Sequence, residues 1–571
     1  MGADSATMST PRALRRATYL PWGLCTAVLG IAVWLIVDPR TPDLAAQVYR
    51  ANLFKEAGWT VWDSRWYGGH DVPGYSLVFP PLAALLGVRT VGALAVLASA
   101  ALFERVARAA YGSAARWAAI WFALAALGDV WSGRITFALG VSFALGAVAA
   151  LMRSRGSASP SSRALAALAV ALAALSAACS PVAGALLALV AVTDSLVRRS
   201  WRSALLLGAP ALAVIALLVG CFAEGGWEPY PLLSFLATLV AVGAFLIALP
   251  RDAVLLRTGA LLYLAVCVLC VAVHTPMGAN VERYGVLLAG PLLVCSVFDP
   301  RVRARESRFA ASSGLAASLG STTDGRRRAG IVVSVAALLV IGLWTVWGPV
   351  RETAAVAGNA STSASYYAPV ERFVTSHGGS GVRIEVPFTR GHWEAAWLAP
   401  HVSLVRGWEK QLDERYDGVL LGKGLTAAAY YRWLRGDAVS YVALPDAPLD
   451  PSSAREGRLI EAGLPYLREV QRTPHWRIYV VLGATPLVQG PGALVAMGHD
   501  WFALRARAAG RFVVRVHYTR YWAVQRGAAC VSSAPEGWTA VRVRGPGVVR
   551  VAARFSLGRA LGLGSAGCRG W

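Results

Sequence analysis

Carboxylates move protons, guanidinium groups hold anions and indole rings stack on flat apolar faces. This chain gathers all three in a few short polar stretches. The densest reads WDSRWYGGHDVPGY, residues 62–75. It sets Asp63 and Asp71 beside His70, Trp62, Trp66 and Tyr67, and Asp43 lies earlier between the same two apolar runs. Three further stretches sit at the ends of apolar runs: 128–134 with Asp129 and Arg134, 223–230, and 274–284 with His274, Asn280, Glu282, Arg283 and Tyr284. Charge at the rim of a membrane is costly unless it is paired or faces a cavity. Asp129 with Arg134 and Glu282 with Arg283 are therefore candidate site residues, although each pair could equally be a local ion pair or a helix cap. Trp and Tyr have a plainer role open to them as interfacial anchors. Three carboxylates in one loop need another reason.

The elements that must position these residues follow from composition. Of 571 residues 56% are hydrophobic and only 15% charged, and mean hydropathy is +0.50. Such values point to a polytopic membrane protein. The formal charge of +23 would suggest nucleic acid in a soluble chain. Here the arginines follow the loops between apolar runs and form no single face, which argues against that partner. Lysine occurs only at Lys55, Lys410 and Lys423, a bias that fits a GC-rich bacterial genome.

With roughly 20 apolar residues per crossing, about eleven candidate spans can be marked: 20–37, 85–103, 114–130, 134–151, 164–180, 181–197, 204–222, 231–249, 254–273, 284–298 and 329–348. Arginine clusters alternate between their ends. This predicts a cytoplasmic N-terminal tail over 1–19, a multi-pass inner-membrane domain over 20–349 with an external loop at 38–84, and an external C-terminus. The first run could also be a cleaved signal peptide, but the alternation stays in phase only if it is retained. Beyond 350 the long apolar runs stop. Residues 350–485 mix strand-like and helical pieces, as an α/β module would, and 486–571 alternate apolar and polar residues between Gly and Pro turns, as a β-sandwich would. Cys530 and Cys568 could close that sandwich with a disulfide. The other six cysteines read as small apolar fillers. The sequon at 359–361 carries little meaning in a bacterial chain. No zinc spacing, P-loop or GxSxG motif occurs.

A cytoplasmic tail, a first helix, an acidic external loop, a bundle of ten or more helices and an external C-terminal region together resemble the GT-C superfamily of polyprenyl-phosphate-sugar glycosyltransferases. TPDLAAQVYRANLFKEAGW at 41–59, WDSRWYGGH at 62–70 and VFPP at 78–81 look most like bacterial membrane proteins of the YfhO type and those labelled 6-pyruvoyl-tetrahydropterin synthase-related, a label from which no pterin chemistry follows. The resemblance implies a GT-C-like helical bundle and transfer of a sugar from a lipid-linked donor to a glycan or lipid acceptor of the cell envelope. It implies Asp43 as the base that takes the acceptor proton. Arg283 and Arg134 would clamp the leaving lipid phosphate. His274, Asn280 and Tyr284 would orient sugar hydroxyls, with Asp63, His70 and the charged Asp129 and Glu282 in support, while Trp62, Trp66 and Tyr67 would stack on a sugar ring or the isoprenoid. A strict DxD or ExD pair is absent, since LeuAla follows Asp43, so a divalent metal stays open and no ligand is assigned. Two other classes fit the same sequence. One is a transporter or flippase of lipid-linked precursors, although no inverted repeat is visible. The other is a noncatalytic envelope scaffold, which should tolerate Asn at position 43.

Overall fold

The computed structural model describes residues 20–155, 159–223, 225–298, 320–563 and 568, with backbone alone at 320–327. The expected tail 1–19, Glu224 and the arginines between 301 and 319, on which part of the orientation argument rested, lie outside the described residues.

All eleven apolar runs fold as helices. In chain order the helices are α1 (Trp22–Val37), α2 (Pro42–Ala57), α3 (Phe79–Leu86), α4 (Val88–Tyr111), α5 (Ala115–Trp131), α6 (Ile135–Arg153), α7 (Pro160–Cys179), α8 (Pro181–Arg198), α9 (Ala209–Cys221), α10 (Leu232–Ala248), α11 (Val254–Ala272), α12 (Glu282–Val297) and α13 (Gly320–Val356). Among the described residues seven helical segments are long and apolar enough to cross a membrane, with Val88–Trp131 taken as one. That segment turns at Gly112–Ala114, and its halves α4 and α5 pack against each other. An eighth arises if α1 and α2, bent by 83°, are one broken span. Serines start two of the helices: Ser159 and Ser180 accept from the backbone N–H of Ser162 and Ala183, ahead of Pro160 and Pro181 at the first helical position. Small residues bring α6, α7 and α8 together, since a Cβ on Gly140 would lie 2.7 Å from that of Ala183.

Residues 38–84, expected as a loop, are mostly regular structure. Besides α2 and α3 they hold a two-stranded hairpin, β1 (Trp62–Asp63) and β2 (His70–Asp71). The helix signal at α2 lies in Thr41-Pro42-Asp43, with Pro at the first helical position and an acid in the first turn.

The C-terminal region makes three sheets. A mixed five-stranded sheet in the order β4-β3-β5-β7-β6 uses β3 (Arg383–Glu385), β4 (Ser403–Leu404), β5 (Val439–Pro445), β6 (Leu467–Arg472) and β7 (Trp476–Val481). Its β3 runs parallel to β4 and β5, and β7 runs antiparallel to both neighbours. Around it lie α14 (Ala364–Ser376), α15 (Glu394–Trp397), α16 (Lys410–Tyr416), α17 (Gly418–Leu421), α18 (Ala427–Gly436) and α19 (Ala454–Glu461). Two antiparallel four-stranded sheets follow. Their strands are β8 (Val488–Gln489), β9 (Gly492–Met497), β10 (Trp501–Ala506), β11 (Gly510–His517), β12 (Trp522–Arg526), β13 (Ala529–Ser533), β14 (Trp538–Val543) and β15 (Gly547–Ala553), ordered β12-β15-β10-β9 and β13-β14-β11-β8. Their inner faces share one core that includes Phe502, Leu504, Phe512, Val541 and Val551. A short α20 (Leu557–Ala560) is the last regular element among the described residues, and Cys530 is disulfide-bonded to Cys568.

Candidate active site

The start of α2 is fixed by its neighbours. Thr41 donates its hydroxyl to the carbonyl of Trp131, 2.8 Å away, and Gly133 (φ 81°) lets the α5–α6 turn press on the backbone of Leu44, where any Cβ would collide. Asp43 stands in the first turn of α2, where the helix dipole favours a carboxylate. Arg134, in the α5–α6 turn, donates Nε to Asp43 Oδ2 at 3.3 Å and Nη2 to Glu352 of α13 at 2.8 Å. Arg283, in the first turn of α12, brings Nη2 to 4.0 Å from the same Asp43 Oδ2 and lies over the ring of Phe137. One partly exposed carboxylate thus faces two guanidinium groups from two other helix ends. Asp129 is buried beside them, and its backbone carbonyl accepts from Arg134 N–H at 2.7 Å.

The pairings expected from sequence adjacency change. Arg134 turns its side chain to Asp43 and Glu352, not to Asp129. Glu282 accepts from Thr238 at 3.2 Å, while its neighbour Arg283 reaches Asp43. Successive helix residues point about 100° apart, so Glu282 and Arg283 serve different sides of α12. His274 stacks on Trp227 at 4.0 Å and stays exposed, and Tyr284 packs against Tyr263. Asn280 lies in the turn that leads into α12.

The polar loops do converge, and α16 joins them. Gly226 lies against the backbone carbonyl of Gln411, Gln411 donates to the carbonyl of Pro276 at 3.3 Å, and Gly278 (φ 41°) passes against the backbone of Glu228. Burial pushes the Glu228 carboxyl up to about 7. Lys410 and Arg283 oppose that rise, and the negative charge of Asp43 and Glu414 adds to it. Glu228 and Glu352 were not singled out from sequence. Glu228 lies within the polar stretch 223–230, and Glu352 follows the last apolar run beside Arg351.

The hairpin is a different matter. Asp63, Trp66, Tyr67 and His70 are buried to within 5% of full burial and committed to internal partners. Asp63 accepts from Tyr49 at 2.6 Å and from the N–H of Arg65 at 3.1 Å. Trp66 stacks between Tyr49 and His70 and donates to the carbonyl of Ala395. The Tyr67 hydroxyl accepts from the N–H of Glu409 at 2.9 Å, and Gly68 accepts from the N–H of His517 at 2.8 Å. Trp62 enters the sandwich core against Trp522. These side chains offer no face to a sugar. They form a plug that locks the helical bundle to both C-terminal modules, with a buried ion pair, Arg50–Glu409 at 2.7 Å, alongside.

No protein-family model matches the chain, and no curated protein does. Solved structures that are similar include the cryo-EM structure of a mutant of the arabinofuranosyltransferase AftD from Mycobacteria, with a TM-score of 0.46 and 16% identity over 93% of this chain and 60% of that one. The chain therefore spans about three fifths of the protein it matches. A superposition that loose fixes neither fold family nor reaction. Among the described residues no group of three or more His, Cys, Asp or Glu is placed to hold a metal ion.

Proposed function

We propose that the chain is a membrane glycosyltransferase of the GT-C kind that moves a sugar from a polyprenyl-phosphate carrier to an acceptor of the bacterial cell envelope. In this reading residues 20–349 form the reaction chamber, and the modules at 350–485 and 486–571 cover its mouth. The observation that carries it is Asp43: a carboxylate left partly exposed at a helix start, facing Arg134 and Arg283 where four polar segments meet.

Transfer with inversion needs a base for the acceptor hydroxyl and a cationic seat for the departing phosphate. Both guanidinium contacts fall on Oδ2 of Asp43, so Oδ1 is the oxygen for the acceptor proton. As that proton moves to Asp43, the acceptor oxygen bonds to the anomeric carbon and the bond from that carbon to the phosphate oxygen breaks. The phosphate keeps the electron pair, and the forked donors of Arg283 and Arg134 suit its charge. Glu352 holds Arg134 in place by accepting from Nη2.

The test is transfer of labelled sugar from a panel of polyprenyl-phosphate donors in membranes with matched amounts of wild type or Asp43→Asn. Wild-type transfer should fall by about 10²- to 10⁴-fold in the variant, the share a positioned base usually supplies. If folded wild type transfers from no donor, the reading fails and a transporter or scaffold takes its place.

A further inference from the structure

The geometry points to a second membrane contact, made by the end of the chain: residues 554–563 of the sandwich insert into the lipid interface beside α9. The inference stands apart from the transferase reading. Helix α9 belongs to the segment Ala204–Cys221, which is apolar and turns most of its surface outward, only 22% of it being buried within the chain. Such a segment finds its cover in lipid, so its end at Cys221 marks the level of the bilayer edge.

The sandwich is joined to that edge. Tyr521 donates its hydroxyl to the carbonyl of Cys221 at 2.6 Å, and Phe222, Tyr521 and Phe555 form a cluster of rings with centroids 5.7 to 6.1 Å apart. From this junction runs a segment with four large apolar side chains in the open: Phe555 at 50% exposure, Leu557 at 73%, Leu561 at 70% and Leu563 at 80%. Water is a poor solvent for so compact a set, and a cluster of that kind marks an interaction site. What covers it follows from its position, continuous with the lipid-facing end of α9. Its charge agrees, because Arg520 and Arg554 are exposed at its border and Arg559 is half-buried within it. Apolar side chains flanked by arginines are the composition of interfacial segments that bind anionic lipid.

The segment is also held in shape for this. Arg520 donates to the carbonyl of Ala560 at 2.9 Å, Ala560 packs into the sandwich core, and Cys568 beyond the leucines is tied to Cys530. The leucines are thus presented on α20 and just after it, where Ala560 pins the segment to the sandwich.

The test places the full chain in nanodiscs of phosphatidylcholine and phosphatidylglycerol that carry a trace of phosphatidylcholine with a diazirine on its acyl chain. Illumination followed by peptide mass spectrometry then reads which residues touched lipid. Residues 555–563 should be labelled along with 205–219, and the exposed Val495 on the sandwich should not. The triple variant Leu557→Glu, Leu561→Glu, Leu563→Glu should lose the first label and keep the second, which shows that the bundle is still folded in the disc. Labelling of 205–219 without 555–563 in the wild type would overturn the inference, as would cross-links from 555–563 to a second copy of the chain in place of lipid.

Discussion

Asp71 lies on β2 with Oδ1 buried and, among the described residues, without a hydrogen-bond partner. Burial pushes its carboxyl from 3.8 up to about 7, against the pull of Arg520 and Arg415. Between these two values the unfolded chain has released the proton and the folded chain still holds it, so the folded state loses stability as pH rises through that window and nothing more above it. The full shift corresponds to a loss on the order of 4 kcal/mol. We expect the melting temperature to fall from about pH 4 to about pH 7, and Asp71→Asn to flatten that slope in thermal scans at stepped pH. The site residues divide by how far sequence could carry them. As candidates, Arg134 and Arg283 are legible as charges costly at the ends of apolar runs, and Asp43 only through the resemblance of its loop. Their mutual contact is not, because Asp43 and Arg134 are 91 positions apart and adjacency suggested other pairs. The aromatics of the hairpin misled for a physical reason: the same ring that stacks on a sugar also fills a protein core.

Single elements divide the same way. The apolar runs were legible because length and hydropathy alone decide them, whereas α2 is hidden by its surroundings. Packed on several sides, it buries Gln47, Tyr49 and Arg50 along with Leu44 and Leu53 and so shows no clean apolar stripe. The hairpin and α2 carry the joint between bundle and modules, and its strength can be measured. Trp66→Ala removes a fully buried ring and should cost roughly 3 to 5 kcal/mol. Glu409→Ala leaves Arg50 buried without its partner, for a loss of about 3 to 5 kcal/mol. Thermal unfolding in detergent should show both as lower transitions, while Asp43→Asn, at a side chain 33% exposed, leaves the transition close to where it was. An unmoved transition for Trp66→Ala would mean that the plug is not a structural joint.

At the scale of the whole molecule, composition announced the bundle, and the alternating pattern of 486–571 announced the paired sheets. Their junction could not be read, since it depends on contacts between residues hundreds of positions apart. The Cys530–Cys568 bond closes a loop of 38 residues, and a cross-link over such a loop contributes about 3 to 4 kcal/mol by limiting the unfolded chain. Reduction, or Cys568→Ser, should therefore lower the unfolding transition of the sandwich strands, read by hydrogen exchange over β10 to β15, and leave exchange in α4 to α8 unchanged. The plug also sets a timetable. Trp66 waits for Ala395, which is made 329 residues later, a delay of roughly 16 to 66 seconds at ordinary rates of synthesis. Throughout that interval the growing chain carries Trp62, Trp66 and Tyr67 with no socket to receive them. The cell must shelter this segment while the bundle is threaded into the membrane, and a chain cut short before residue 395 would keep it exposed for good.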